Sequence, residues 1–285
     1  MKHNEQESVL VNQAVQGNQE ALEAILSSVQ DMVYNLSLRM LGLPQDAQDA
    51  SQEILIRVMT HLSSFRGQSS LSTWVFRIAV NYLKNYKKGM FAKACLSFEE
   101  YGADIASGRE RDIPDNSGGV DRGLLEQELK LSCTNVMLQC LDPQSRCIYI
   151  LGTMFRLDSR IAAEILDMTP EAYRQRLSRT RKRMAAFLAE YCGLSKTGMC
   201  SCKKRVDYAV ATHRIDPAHL SFQEMEPCRM EDIVQRTDAM EHLDGLSQIF
   251  AQFPAYRSPQ AVRDSVSALI GSRSFQTVLA QEVSE

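Results

Sequence analysis

The stretch Ser63–Gly89, SSFRGQSSLSTWVFRIAVNYLKNYKKG, decides the reading of this chain. It opens with a small polar loop, Phe65-Arg66-Gly67-Gln68-Ser69-Ser70, and a helical pattern follows. Leu71, Trp74, Val75, Ile78 and Tyr82 recur at helical spacing and are expected on one apolar face. Thr73, Arg77, Asn81 and Lys84 share another, which Asn85 and Lys88 continue. That second face carries bases and amides and no acid. Arg and Lys can meet phosphate there, and Asn can meet base edges. The loop, with one aromatic and small neighbours, has the chemistry to hold a base taken out of the stack; its candidates are Phe65, Arg66, Gly67, Gln68 and Ser69.

Working outward, the chain reads as helical throughout. Between Ser8 and Leu41, Val9, Ala14, Leu22, Ile25, Leu26, Val29, Val33 and Leu36 are apolar at helical spacing, broken at Gly17-Asn18. Pro44 marks a stop, and a long helix follows from near Asp46 with Ala47, Ala50, Ile54, Val58 and Leu62 as its buried stripe. Met90 to Asp121 is rich in Gly, Ser and acids and sparse in apolar residues, as a flexible linker would be. From Leu124 to Leu194 a second helical module is expected. Its turn Asp167-Met168-Thr169 lies between a short helix and a longer one that starts at Pro170, with Thr169 as N-cap. That is helix-turn-helix spacing. Tyr173, Leu177, Thr180 and Met184 face its core. Arg174, Gln175, Ser178 and Lys182 lie opposite, flanked by Arg176, Arg179, Arg181 and Arg183, an electrostatic footprint for duplex DNA.

The string FRGQSSLSTWVFRIAVNYLKN resembles the promoter-melting segment of bacterial sigma factors of the extracytoplasmic-function (ECF) group. DAQDASQEILIRVMTHL is similar to that family's polymerase-binding helix, and IAAEILDMTPEAYRQRLSRTRKRM to its minus-thirty-five reader. The last departs from the family pattern at Glu171 and Tyr173, where Gly and Val are usual. The resemblance spans residues ~8 to ~190 in the order the family requires. It implies that Asp49, Gln52, Glu53 and Arg57 dock on core RNA polymerase. It further implies that Asn81, Lys84 and Asn85 read the melted minus-ten strand while the loop at Phe65 receives a flipped base. The partners it implies are core RNA polymerase and promoter DNA, with an anti-sigma factor as a further candidate. No chemistry of an enzyme is expected, because no nucleophile triad, phosphate loop or paired carboxylate site stands out.

Length and charge agree without deciding. The 285 residues suggest about two domains, and a net charge of −3 means that bases are clustered rather than abundant. No run reaches ~18 apolar residues and the N-terminus lacks a signal-peptide core, so a cytoplasmic protein without membrane contact is expected. The expected all-α organisation is residues 1–89 for polymerase binding and minus-ten melting, 90–121 as linker, 122–191 as the helix-turn-helix, and 192–285 as a Cys-containing helical extension. In that extension Cys192, Cys200 and Cys202 are candidate ligands for zinc or another thiophilic metal, with His213, His219 and Cys228 as further candidates. The same thiols beside Lys203, Lys204 and Arg205 could sense oxidants, or could be inert. Cys133, Cys140 and Cys147 are expected in the core. Rival readings are a stand-alone helix-turn-helix regulator of transcription and a metal or redox sensor.

Overall fold

In the computed structural model the described residues are 2–86, 96–107, 113–233 and 245–271. Their regular secondary structure is almost entirely helical. The front half is α1 (Lys2–Val15), α2 (Gln19–Leu41), α3 (Pro44–Thr60) and α4 (Leu71–Lys84). Then come α5 (Phe98–Ala106), α6 (Arg122–Gln139) and α7 (Pro143–Tyr149), which closes in a π-helical turn, Ile150–Met154. The helix-turn-helix is α8 (Ser159–Ile165) and α9 (Pro170–Tyr191). The extension supplies α10 (Cys202–Ala211), α11 (Met230–Ile233), α12 (Ser247–Ala251) and α13 (Gln260–Ile270). A two-residue antiparallel pair, β1 (Pro227–Cys228) with β2 (Ala255–Tyr256), is the one sheet among the described residues. The helix starts follow capping chemistry: Asn18, Ser70, Asp121, Asp142, Asp158 and Thr169 each accept a backbone N–H of the first turn.

The buried stripes expected for α3 (Ala47, Ala50, Ile54, Val58, with Leu62 just beyond its end) and for α9 (Tyr173, Leu177, Thr180, Met184) are all buried. On α4 the stripe is rotated from expectation. Leu71 and Val75 are buried, but Trp74, Ile78 and Tyr82 are only half-buried, and Phe76, Ala79, Val80 and Leu83 take the core. Thr73, expected on the polar face, is buried with its hydroxyl 2.9 Å from that of Ser70. The reason lies beyond the helix, because α4 is packed from two sides. Phe76 meets Phe155 edge-on at 5.6 Å, which extends the apolar face toward the second module.

The two modules therefore share one core instead of standing apart. Polar contacts reinforce the junction at the end of α2. Arg146 of α7 donates to Met40 O at 2.6 Å and to Leu141 O at 2.9 Å, satisfying carbonyls that helix ends leave orphaned. Within the stretch expected to be a structureless tether, residues 98–106 are a helix. A capping box of Ser97 and Glu100 starts it, and Phe98, Tyr101 and Ile105 are buried. It packs on α9 through Phe98–Phe187 at 4.9 Å and Tyr101–Phe187 at 5.7 Å. Gly102, expected as a flexible residue, is a packing residue: a Cβ there would lie 2.7 Å from the Tyr191 ring.

The extension packs back on the front half. Asn35 of α2 donates to Tyr256 O at 2.6 Å and accepts from Tyr256 N at 3.0 Å. Buried Arg39 donates to Pro254 O at 2.9 Å, and Asp31 binds Arg257 at 2.8 Å. The chain then enters α13, whose Val262, Val266 and Ile270 are buried and which lies against α2 and α3. No helix among the described residues is long and apolar enough to cross a membrane.

Candidate nucleic-acid and polymerase interface

The loop before α4 is held where it enters the helix. Ser70 caps α4, accepting from Thr73 N at 3.2 Å, and Glu7 of α1 accepts from Leu71 N at 2.9 Å. Gly67 has φ +66°, a backbone that side-chain-bearing residues rarely adopt, so glycine is needed for this bend. Phe65 packs edge-on against Trp74 at 5.6 Å and stays half-exposed, while Arg66 and Gln68 are exposed and Gly67 and Ser69 partly so.

Along α4, Asn81 and Asn85 are exposed and Lys84 partly exposed. Asn81 and Asn85 border a groove of about 550 Å³ between α3 and α4, lined also by Arg57, His61, Ile78 and Tyr82. Tyr86 closes its end, with its ring 5.8 Å from that of Tyr82. Burial, then the charge of Asp46, pushes the Tyr86 phenol up to about 12, so it remains a proton donor at neutral pH. Sequence reasoning put Tyr82 in the core and passed over His61 and Tyr86. The i, i+4 spacing of Tyr82 and Tyr86, one residue after each Asn, was the available signal. Amides beside aromatic faces suit an unstacked base. Lys88 lies outside the described residues.

Arg77, from the same polar face, is engaged by the second module. Its Nη2 is 2.9 Å from Glu164 Oε1 and its Nε donates to Glu164 O at 3.2 Å. The face of α4 expected to read DNA is thereby covered in part by the first helix of the helix-turn-helix.

On α3, Asp49 and Arg57 are exposed and Gln52 and Glu53 partly so. Arg57 pairs with Glu53 at 3.0 Å and lies over the Tyr82 ring at 5.0 Å. Gln52 reaches Ala261 O of α13 at 3.5 Å, at the outer limit of a hydrogen bond. The extension thus borders the face expected to meet polymerase.

On α9, Gln175, Arg176, Ser178, Arg179 and Lys182 are exposed. Arg174 is partly exposed and held in place by Ser159 at 3.2 Å and Glu171 at 2.9 Å. Asp167, at φ +53°, makes the turn that sets α9 against α8; Asp tolerates this conformation better than most residues. Two of the four flanking arginines make contacts within the protein, Arg181 partly buried and Arg183 still exposed. Arg181 donates to Gly152 O at 3.0 Å, and Arg183 lies over the Phe98 ring at 5.0 Å. The exposed basic surface is therefore narrower than the composition of α9 suggests.

Cys192, Cys200 and Cys202 fall in the segment that runs from the end of α9 to the first residue of α10, while Cys133 of α6 packs on the core of Leu125, Leu129 and Val206 as expected. His219 and Cys228 lie outside that segment: His219 pairs with Glu224 at 3.0 Å, and Cys228 sits in β1 near Asp31 and Arg257. Among the described residues, no group of three or more His, Cys, Asp or Glu is arranged to hold a metal ion.

A grooved, amide-bearing helix and a basic helix-turn-helix have the chemistry that suits DNA reading. Residues 25–89 match the family model for sigma-70 region 2. The chain is 35% identical over 82 residues to the RNA polymerase sigma-H factor of Pseudomonas aeruginosa, covering 29% of this chain and 42% of that protein. To the ECF RNA polymerase sigma factor SigW of Bacillus subtilis it is 38% identical over 71 residues, covering 25% and 38%. To the ECF RNA polymerase sigma-E factor of Haemophilus influenzae it is 28% identical over 181 residues, covering 62% and 92%. It thus spans about two fifths of the length of the first and second of these, and nearly all of the third. A solved structure of CnrH in complex with the cytosolic domain of CnrY aligns with a TM-score of 0.45 at 21% identity, over 63% of this chain and 95% of that one. The chain is thus similar to sigma factors of the extracytoplasmic-function type, and its residues 25–89 match their region 2.

Proposed function

We propose that this chain binds core RNA polymerase and directs promoter-specific initiation of transcription. The observation that carries the proposal is the sigma-70 region 2 segment folded so that its exposed amides, Asn81 and Asn85, border an aromatic groove. In this reading Asp49, Gln52, Glu53 and Arg57 of α3 meet the polymerase. Phe65 to Ser69 take a flipped base, and Asn81, Lys84 and Asn85 read the opened minus-ten strand. On α9, Arg174, Gln175 and Ser178 approach base edges of the minus-thirty-five duplex, while Arg176, Arg179 and Lys182 hold phosphates. The chain is not an enzyme, since recognition is its part and catalysis the polymerase's. Its place of work is the cytoplasm, where polymerase and DNA are.

The packing adds a requirement. By their names the two promoter elements lie about 25 base pairs apart, on the order of 80 Å at ~3.4 Å per base pair. Arg77 and Glu164, on the two reading modules, are 2.9 Å apart. The modules must separate on the promoter, so the packed form is a resting state. The extension, bound to α2 and lying against α3, stabilises that state and acts as a regulatory arm. The domain division follows: residues 1–89 and 122–191 are the separating units, 90–121 connects them, and 192–285 is the arm.

The test is reconstituted transcription with core polymerase, the full chain and promoter templates. Initiation at defined sites only when the chain is present supports the proposal. Selective binding to duplex DNA with no effect on initiation sinks it, and points to a stand-alone regulator.

A further inference from the structure

The arm and the second module border a cleft of about 550 Å³ that promoter reading leaves unused. Leu131 of α6 forms one wall, Leu194 stands where the arm begins, and Phe222, Met225, Ile249 and Phe253 form the facing wall. All but Phe222 are only half-buried, so they present apolar surface to the cleft. Polar clasps set the walls. Glu128, buried on α6, accepts from Phe222 N at 3.0 Å and from Gln223 N at 3.2 Å, which holds this turn of the arm against α6. Tyr34 of α2 donates its hydroxyl to Met225 Sδ at 3.0 Å. Phe250, fully buried, meets the Tyr149 ring edge-on at 5.4 Å and fixes α12 beneath Ile249 and Phe253.

The polar groups of the cleft are few. Gln127, Gln223 and Gln252 stand exposed at its rim. Of the described residues that line it, Lys130 alone is charged, and its ammonium lies 2.8 Å from the Glu126 carboxylate. The cleft therefore offers no free charge to an ionic ligand. Tyr256 also lines it, is 4% exposed, and has a buried hydroxyl without a hydrogen-bond partner among the described residues. A buried hydroxyl left so costs free energy, which a ligand accepting its proton would recover. Apolar walls with a few placed polar groups, at a junction between units, are the make-up of small-molecule sites, whose volumes run from roughly 300 to 1,000 Å³. The rings of Phe222, Phe253 and Tyr256 and the thioether of Met225 favour an aromatic partner.

We propose that this cleft binds an uncharged aromatic small molecule bearing a carbonyl, which accepts from the Tyr256 hydroxyl while the rings lie on the apolar walls. Such a ligand touches α6 and the arm together. Its binding therefore holds the arm on the second module, by the free energy of binding to the docked form alone. The recognition itself stands apart from promoter reading.

The test uses the full-length chain and prodan, an uncharged naphthyl ketone whose emission moves to the blue in an apolar site. A saturable blue shift at one dye per chain is expected. Leu131→Trp and Ile249→Trp fill the cleft from the α6 wall and the arm wall, and each should weaken binding at least about tenfold with helix content unchanged. Tyr256→Phe keeps the ring and, should either tryptophan unfold the chain, still tests the site; it should weaken binding about two- to tenfold, the worth of one hydrogen bond. Acetylnaphthalene should displace the dye, and naphthoate, the same rings with a charge, at least about tenfold less well. With prodan near ten times its Kd, amide exchange across residues 222–227 and 249–256 should slow about tenfold. The proposal is overturned if no saturable shift appears, if the folded tryptophan variants or Tyr256→Phe bind the dye as the parent does, or if naphthoate competes equally. Unchanged exchange in the dye-saturated chain overturns the hold on the arm.

Discussion

Replacing Asn35 with Ala should release the C-terminal arm while leaving the front half folded. Asn35 clasps the arm with its whole amide, donating to Tyr256 O at 2.6 Å and accepting from Tyr256 N at 3.0 Å and from Arg39 Nη1 at 2.9 Å. All three residues are buried. The alanine would strand the Tyr256 N–H and carbonyl and take one partner from Arg39. An orphaned buried polar group costs ~1–3 kcal/mol, so docking of the arm should weaken by ~2–4 kcal/mol. Asp31 with Arg257, and the apolar side of α13, would remain as anchors. The assay is amide hydrogen exchange. Protection across residues 254–270 should fall by roughly 30- to 1000-fold, at ~1.4 kcal/mol per tenfold, with α4 and α9 little changed. Core polymerase should then bind more tightly, because α13 no longer borders Gln52. Unchanged exchange at 254–270, or a uniform loss throughout the chain, would refute the idea of a separable arm.

Four other outcomes follow from the contacts. Glu164→Ala removes the partner of Arg77; both side chains are more than two fifths exposed, so stability should move by under ~1 kcal/mol while the two modules separate more readily, read as increased distance between labels on α4 and α8. Asp104 gathers Arg205 at 2.7 Å, Arg214 at 2.9 Å and Tyr208, and Asp104→Asn should cost ~3 kcal/mol in urea unfolding by stranding buried Arg205. Burial raises the Asp104 carboxyl, but Tyr208, Arg214 and Arg205 together outweigh it and leave it below the ordinary value. Its stabilising contribution is therefore present above the unfolded value near ~4 and lost as pH falls through the lower folded value, so acid titration of Asp104→Asn should lack that loss. On α9, Arg174→Ala should alter sequence preference at the minus-thirty-five element, whereas Arg179→Ala should weaken binding evenly and lower the salt slope by about one, measured by promoter titration at several salt concentrations.

What could be seen in the sequence is what repeats locally. The stripe of α9, its Thr169 cap and the turn before it all follow from 3.6-residue spacing and capping chemistry, and the structure matches them. The rotated face of α4 was hidden because Phe76 is buried by Phe155, a residue of the other module. Helix α5 was missed for another reason. Its signal was short, Phe98, Tyr101 and Ile105 at i, i+3 and i+7 behind the Ser97/Glu100 box, and was outweighed by the Gly-, Ser- and acid-rich surroundings; Phe187 and Tyr191 of α9 lie against it. The clasp of Asn35 on Tyr256 joins residues 221 positions apart, and no local pattern announces it. Cys133, Cys140 and Cys147, expected in the core from their helical positions, do pack there.

The central claim is that α4 reads opened DNA only while the chain is mounted on polymerase, and a photocrosslinker at exposed Asn81 tests it most directly. The account predicts an adduct to an unpaired minus-ten base of one strand in the polymerase complex, and none when the chain meets the same DNA alone. Equal crosslinking to duplex DNA without polymerase would contradict it.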